Sequence, residues 1–233
     1  MLENYKEHVE ERLNQGIPPL PLNAEQVSEL VELLKSPPSG EEEYILDLIT
    51  NRTPAGVDPA AYVKAAFLTA IAKGETNSPL IDKKHATELL GTMLGGYNVE
   101  SLIGLLEDEE VGSLAAESLS KTLLMFNAKH DVIELAETNE NAQRVVDSWS
   151  NGEWFTNKPK LPEVIKAIVF RVEGEINTDD LSPAPDAPSR PDIPLHALAM
   201  LKKTMDDPIG TIEKLKESGL PVVFVGDVVG TGS

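Results

Sequence analysis

The stretch INTDDLSPAPDAPSRPDIP, residues 176–194, gathers side chains that suit acid–base or anion-binding chemistry. Asp179 and Asp180 stand side by side, and Arg190 follows in the same stretch. Carboxylates bind cations or exchange protons with a substrate, and the planar fork of arginine matches a carboxylate. The repeated prolines favour an extended loop that holds these groups in place. The same residues also fit plainer roles, because an aspartate after a threonine commonly caps a turn and a lone arginine is commonly a solvated charge.

A glycine-rich run, GDVVGTGS, brings a second group with chemical potential, the hydroxyl of Ser233. A strand that leads into Gly226, Gly230 and Gly232 is expected to continue into a helix whose amides face an anion, because glycine lets the backbone approach closely. The run lacks the Gly-Lys-Ser/Thr of a nucleotide-binding loop. Glycines after a strand are therefore a weak indication of a ligand site, and an ordinary turn remains the alternative.

Composition limits the classes of chemistry and of partner. The 233 residues are 41% hydrophobic and 25% charged, which is ordinary for a globular protein with a sizeable core. The lack of cysteine excludes disulfides, thiol nucleophiles and thiolate-held clusters within this chain alone. A net charge of -19 disfavours generic binding to nucleic-acid phosphates. The charged N-terminus and the absence of a long apolar run favour a cytoplasmic protein without a membrane partner.

The first part of the chain has the pattern of short amphipathic helices separated by tight breaks. Three helix-start signals precede apolar runs: Asn23 with Gln26, Ser39 with Glu42, and Asp58 with Pro59. The buried side of the third of these helices is predicted to hold Val63, Ala66, Phe67, Ala70 and Ile71. Such a succession predicts an α-solenoid or a compact helical array, which offers a surface for partners.

The character of the chain changes near residue 158, where we place a domain boundary. AIVFRVEGEI has the alternation of a strand, LHALAMLKK and TIEKLKESG have helical patterns, and LPVVFVG has the pattern of a buried strand. A strand, helix, strand and glycine turn make an α/β unit.

Three of these motifs, NTDDLSPA, SRPDIPLHA and GDVVGTGS, resemble the swivel domain of the aconitases, specifically the bacterial aconitase B type. The resemblance covers the whole chain and includes MLENYKEHVEERL, LVELLKSPPSGEEEYILDLITNR and AAYVKAAFLTAIAKGE. It implies an α plus α/β architecture. A HEAT-like α-solenoid would span residues 1–157, and a swivel α/β domain, truncated at its C-terminal end, would span residues 158–233.

The resemblance implies a hydro-lyase that interconverts citrate and isocitrate through cis-aconitate and commonly also acts on 2-methylisocitrate. Arg190 matches the family arginine that clamps a substrate carboxylate, and Asp179 matches an aspartate of the active-site acid network. Ser233 matches a serine that contacts substrate and, as an alkoxide, removes or returns its proton. The other aconitase type has a histidine where this chain has Asp180, so the role of Asp180 stays open.

The resemblance also implies a 4Fe-4S cluster, whose three cysteine ligands lie in later domains of the family. We therefore expect no metal ligand in this chain and no activity from it alone, as the front of a larger enzyme of the tricarboxylic acid cycle and of propanoate metabolism. Its partners would be the remaining domains and a tricarboxylic acid substrate. The alternative is a helical interaction module that acts in self-association as a homodimer, with RNA-linked regulation implied by the resemblance only.

Overall fold

The structure, a computed structural model, describes residues 1–122, 125 and 128–231, with only the backbone of Val229 described. The described chain is mainly helical, with four short strands that pair in parallel. No helix in these ranges is both long and apolar enough to span a membrane. The helices are α1 (Leu2–Leu13), α2 (Ala24–Lys35), α3 (Glu42–Asn51), α4 (Pro59–Ala72), α5 (Lys83–Gly91), α6 (Val99–Leu105), α7 (Gly112–Lys121), α8 (Ala128–Leu135), α9 (Glu140–Ser150), α10 (Glu153–Thr156), α11 (Thr178–Leu181), α12 (Ile193–Ala197) and α13 (Pro208–Lys216). A 3-10 helix spans Ala184–Ser189, and the strands are β1 (Ile168–Arg171), β2 (Glu175–Asn177), β3 (Val222–Val225) and β4 (Val228–Thr231).

Two of the three predicted helix starts are confirmed. At α2, the Asn23 side chain accepts a hydrogen bond from the Gln26 amide, and the Gln26 side chain accepts one from the Asn23 amide. At α4, the Asp58 carboxylate accepts from the Ala60 amide, and Pro59 occupies the first helical position. Both caps satisfy amides that the first turn of a helix leaves without partners.

The predicted start of α3 is wrong. Glu41 is the N-cap residue there and makes no side-chain capping hydrogen bond. Gly40 turns the chain with a φ of 89°, so Ser39 lies two residues before the cap, too early to serve it. Glu42 instead accepts a hydrogen bond from the Gly40 amide at 2.7 Å, which stabilises this turn.

The predicted buried face of α4 is only partly correct. Phe67 and Ile71 are buried, whereas Ala66 is exposed and Val63 and Ala70 are half-buried. The helix packs against both α2 and α5, so its buried surface is broader than a single stripe. The other buried positions of α4 are Ala60, Ala61, Lys64, Ala65, Leu68 and Ala72.

The chain folds into two compact units, and the N-terminal helix contributes to both. The first unit comprises Met1–Tyr5 and Leu20–Pro159. The second comprises Lys6–Pro19 and the chain from Lys160 onward. The predicted boundary near residue 158 stays a prediction. The division of the structure adds a segment near the N-terminus that no single boundary along the chain would assign to the second unit.

In the second unit, two pairs of short parallel strands carry the core. β1 pairs with β3, with Phe170 opposite Phe224, and β2 pairs with β4. The sequence predicted one strand in AIVFRVEGEI, but Gly174, with a φ of 82°, separates β1 from β2. The buried core consists of Phe170, Val172, Ile176, Leu201 and Ile212.

Strand β3 is more exposed than its apolar sequence predicts. Val223 is 45% exposed, and Phe224 and Val225 are each 38% exposed. The reason is that β3 pairs only with β1 in the described structure, and α13 packs against this two-stranded sheet without covering β3 fully. The apolar run therefore predicted the strand correctly and its burial incorrectly.

Within the glycine-rich run, Gly226 and Asp227 lie outside any strand, with a bend at Asp227, and the described residues after them form strand β4. β4 includes Gly230, whose φ of 81° coincides with an irregularity in its pairing with β2. Such a conformation favours glycine and is typical of a bulge. Ser233 and the helix predicted after the run lie outside the described residues.

Candidate functional site

Arg190 follows the 3-10 helix of Ala184–Ser189, and its side chain is exposed. Its Nε donates to the Ser182 hydroxyl at 3.2 Å, and its Nη2 donates to the Ser182 carbonyl oxygen at 3.2 Å. Guanidinium carries five N–H donors in one plane, so two contacts to one residue set the orientation of that plane. The remaining donors are available to an anion.

Asp179 and Asp180 lie on the short helix α11 and differ in their surroundings. The Asp180 carboxylate accepts from the Asn177 amide at 3.0 Å, and the Asn177 side chain accepts from the Asp180 amide at 3.0 Å. Asp180 therefore closes a capping box at the start of α11. Asp179 is exposed, and its carboxylate takes part in none of the hydrogen bonds or ion pairs found among the described residues. Its carboxylate is thus open to solvent or to a ligand.

Ser182 connects the two predicted site residues. It is the C-cap of α11, which carries Asp179, and its hydroxyl and carbonyl hold the Arg190 guanidinium. Within the described chain, no hydrogen bond joins Asp179 to Arg190 directly. Of the predicted site residues, Ser233 lies outside the described residues, so the structure places only Asp179 and Arg190.

His196 is a residue of this site that our sequence reasoning missed. Its Nε2 lies 2.7 Å from the Ser182 hydroxyl, and its Nδ1 lies 2.8 Å from the Ser189 hydroxyl. The ring is half-buried on α12. The only indication of His196 in the sequence is that it shares the motif SRPDIPLHA with Arg190. The two serines are 14 and 7 residues away along the chain, too far for side chains on one helix or strand to touch, so a local sequence pattern does not reveal these contacts.

The loop after Arg190 is anchored by an arginine from the N-terminal helix. Asp192 caps α12 by accepting from the Leu195 amide, and its carboxylate is held bidentately by Arg12. The Arg12 Nη1 lies 2.5 Å from Asp192 Oδ2, and Nη2 lies 2.9 Å from Oδ1. The hydrogen bond from Arg12 lowers the pKa of the Asp192 carboxyl, and the same bond raises the pKa of Arg12. The partners are 180 residues apart in the sequence, which is why local patterns did not reveal them.

This chain offers no thiolate ligand for the metal cluster that the resemblance implies. It contains no cysteine. Among the residues that the structure describes, no group of three or more histidine, aspartate or glutamate side chains is arranged to hold a metal ion. Thiolate ligands are the usual way in which proteins hold iron–sulfur clusters. These residues can bind and orient an anionic ligand but provide no cluster ligands.

Comparison with known proteins covers the whole chain. Residues 4–155 match the family model described as Aconitate B N-terminal domain, and residues 167–233 match the one described as Aconitate hydratase 2 N-terminus. The chain is 62% identical to Aconitate hydratase B of Pseudomonas aeruginosa, 60% identical to that of Synechocystis and 58% identical to that of Escherichia coli.

Each of these relatives aligns with 100% of this chain, and the alignments cover 28%, 27% and 28% of the relatives, respectively. The chain therefore spans little more than a quarter of the length of the curated relatives it matches. The first family model covers more than half of the chain. On these matches, the chain belongs to the aconitate hydratase B family, in the region that the family models describe as N-terminal.

Proposed function

We propose that this chain forms the N-terminal part of an aconitate hydratase, a hydro-lyase that interconverts citrate and isocitrate through cis-aconitate. The observation that carries this proposal is the similarity of the entire chain to relatives named Aconitate hydratase B. The chain would contribute groups that bind and orient the substrate. Activity toward 2-methylisocitrate, and with it a place in propanoate metabolism, is a further part of the proposal that rests on resemblance.

The proposed architecture is a HEAT-like α-solenoid over residues 1–157 followed by a swivel α/β domain over residues 158–233. In support of the solenoid, α4 packs against α2 and α5, and α7 packs against α5 and α9. In support of the α/β assignment, helix α13 packs against the parallel strands β1 and β3.

The chemistry assigns a distinct task to each site residue. Dehydration of citrate removes a proton from one carbon and the hydroxyl group, as water, from its neighbour. Arg190 would bind a substrate carboxylate through charge-assisted hydrogen bonds and thereby fix which carbon faces the base. Asp179 would belong to the acid network, and Ser233 would accept the proton as an alkoxide, which needs amides or cations nearby to stabilise its charge.

The 4Fe-4S cluster of such an enzyme would be held by residues outside this chain, because this chain has no cysteine. For the same reason we expect no turnover from this chain alone. Its proposed partners are the remaining domains of the enzyme and the tricarboxylic acid substrates citrate, isocitrate and cis-aconitate.

The alternative function, a helical module for self-association with an RNA-linked role, is not favoured. Both matched family descriptions name an aconitate protein, and the relatives carry the name of an enzyme. The net charge of -19 also opposes binding to a phosphate backbone. The cytoplasmic location stays a prediction.

Replacement of Arg190 in the complete enzyme tests the proposed function. Arg190→Lys keeps the charge and loses the planar fork, and Arg190→Ala loses both. We expect Arg190→Ala to lower kcat/KM for citrate by about 100-fold, because a hydrogen bond to a charged group contributes about 1.5–3 kcal/mol. Arg190→Lys should recover only part of this loss. Steady-state formation of cis-aconitate is the measurement, and a reaction mixture without enzyme is the blank.

Arg171→Lys is the matched control in the same unit. Arg171 is 67% exposed, and its Nη2 lies 3.8 Å from Asp227, so it is a surface arginine without a tight fork. Its replacement should leave kcat/KM within about twofold of the parent, as surface substitutions commonly do. If Arg190→Lys also stays within that range at unchanged KM, Arg190 does not bind the substrate and the assignment of Asp179 loses its support.

A further inference from the structure

The Arg190 side chain ends a row of four hydrogen-bonded residues, Ser189, His196, Ser182 and Arg190, which we call the His196 row. The Ser189 hydroxyl lies 2.8 Å from His196 Nδ1, and the Ser182 hydroxyl lies 2.7 Å from His196 Nε2. Arg190 Nε then lies 3.2 Å from the same Ser182 hydroxyl. The imidazole therefore bridges two serines, one of which contacts Arg190.

The direction of each hydrogen bond in the His196 row follows from its two ends. At one end, the Ser189 hydroxyl donates to the Asp186 carbonyl oxygen at 2.7 Å, and a carbonyl can only accept. Ser189 therefore accepts from His196 Nδ1–H, and in the tautomer whose single N–H is on Nδ1 the other nitrogen, Nε2, is an acceptor. At the other end, guanidinium can only donate, so Ser182 accepts from Arg190, and in the same tautomer the Ser182 hydroxyl donates its proton to Nε2. In this tautomer every hydroxyl hydrogen and both ring nitrogens of the row have a hydrogen-bond partner.

This arrangement decides which edge of the guanidinium a ligand can reach. Nε–H and one hydrogen of Nη2 point to the Ser182 hydroxyl and carbonyl oxygens. The outer edge, formed by Nη1 and the second hydrogen of Nη2, has no hydrogen-bond partner among the described residues. A carboxylate can form two parallel hydrogen bonds with that edge. The inner edge is closed to it as long as Ser182 keeps its place.

We propose that His196 is a positioning residue, which holds the Ser182 hydroxyl so that Arg190 presents its outer edge to a substrate carboxylate. The proposal rests on the proposed function of Arg190. The backbone that carries His196 is also fixed. Asp192 caps the start of α12, and Arg12 donates two hydrogen bonds to the Asp192 carboxylate. A ring fixed at both nitrogens and at its helix start is well suited to this task.

Two replacements of His196 separate positioning from mere packing. The side-chain amide introduced by His196→Gln can occupy the place of Nε2 and accept from Ser182, whereas the shorter amide introduced by His196→Asn can occupy only the place of Nδ1. We expect His196→Asn in the complete enzyme to raise KM for citrate and lower kcat/KM by about tenfold, since the loosened arginine no longer binds in one geometry. His196→Gln should retain at least about threefold more kcat/KM than His196→Asn.

A double-mutant cycle with Arg190→Ala completes the test, since it measures whether His196 acts through Arg190. In the Arg190→Ala background, His196→Asn should change kcat/KM by less than about twofold. An equal loss in both backgrounds, or equal activities of the Asn and Gln variants, would overturn the positioning role. A different result, Arg190→Ala with the activity of the parent, would overturn the proposed role of Arg190 in binding substrate and with it this inference, while leaving the hydro-lyase assignment untouched.

Discussion

Lys64 carries a charged group on the buried face of α4. The residue is 3% exposed, and the described hydrogen bond of its Nζ, to the Thr50 carbonyl oxygen, is 3.4 Å long. Burial lowers the pKa of Lys64 from 10.5 to about 8. At neutral pH the folded chain therefore holds an ammonium group in surroundings that disfavour its charge. Near neutral pH this side chain reduces the stability of the first unit rather than adding to it.

Replacement of Lys64 with methionine should stabilise the chain at neutral pH. We expect Lys64→Met to raise the free energy of unfolding at pH 7 by about 1–3 kcal/mol, because a methionine of similar length avoids the burial of a charge. Between pH 8 and pH 10.5 the unfolded chain binds a proton that the folded chain releases, so the parent gains stability as pH rises. The advantage of the variant should therefore shrink across this window.

Urea unfolding at pH 7 and pH 10 measures the effect of Lys64→Met. The exposed Lys73, at the end of the same helix, provides the control, and Lys73→Met should change stability by less than about 0.5 kcal/mol. A Lys64→Met variant that is less stable than the parent at both pH values would show that the Thr50 contact outweighs the burial of the charge.

The residues of the candidate site show how far sequence alone can reach at this scale. The pattern left Asp180 open between capping and chemistry, and the structure shows it capping α11 with Asn177. A cap depends on a few consecutive residues, so a local pattern contains the necessary information. The contact of Arg190 with Ser182 depends on the path of the whole proline-rich loop between them. The residues next to Arg190 in the sequence do not determine that path. The functional roles of Arg190, Asp179 and Ser233 stay predictions.

At the scale of elements, the ion pair between Arg12 and Asp192 ties α1 to the start of α12. The two side chains are only 9% and 18% exposed. Arg12 Nε also donates to the Pro18 carbonyl oxygen at 2.8 Å, so the guanidinium has three described hydrogen bonds. Removal of one partner from a largely buried, fully hydrogen-bonded ion pair lowers stability strongly, because the other charge stays buried without a partner.

Loss of the two hydrogen bonds from Arg12 to Asp192 should destabilise the second unit. We expect Arg12→Ala to lower its free energy of unfolding by about 3 kcal/mol and Arg12→Lys to restore only part of it. Because the pKa of Asp192 lies below its usual 3.8 in the folded chain, this stabilisation is present above pH 3.8 and is lost as pH falls through the lower folded value. The difference between parent and variant should therefore close in acid.

Hydrogen exchange of the α12 amides, together with urea unfolding at successively lower pH, measures this difference. Arg171→Ala provides the control, since its pair with Asp227 is exposed on both sides and should contribute little. Protection of α12 that is the same in Arg12→Ala as in the parent would mean that Asp192 does not depend on Arg12.

Whether a helix or strand was predicted correctly depended on how local its determinants are. The starts of α2 and α4 follow from caps within four residues, and both were predicted. The burial of β3 depends on which elements cover it. The apolar residues of LPVVFVG predicted a buried strand, whereas most of β3 is exposed. The buried face of α4 failed for a related reason, because two neighbouring helices widen it beyond one stripe.

At the scale of the whole molecule, the second unit is built from two segments that are distant in the sequence, Lys6–Pro19 and the chain from Lys160 onward. Residues 159–167 between the last helix of the first unit and β1 have no helix or strand. Leu161, Val164 and Ile165 in this connector are 85%, 73% and 66% exposed. An exposed connector of this kind is a preferred site for proteolysis.

Limited trypsin digestion of this chain should cut this connector first, after Lys160 or Lys166, because both lie in the exposed stretch without helix or strand, whereas the Lys158–Pro159 bond resists trypsin. A denaturing gel should show a stable helical fragment and a smaller α/β fragment. In size-exclusion chromatography under native conditions, the two fragments should elute together. Lys6–Pro19 stays on the larger fragment, and its Arg12 binds Asp192 of the smaller fragment. Arg12→Ala should separate the two fragments, and Arg171→Ala should not.

Two outcomes would contradict this prediction. Even trimming along the helices would contradict the proposed boundary, and fragments of the parent that elute separately would contradict the role of the N-terminal segment.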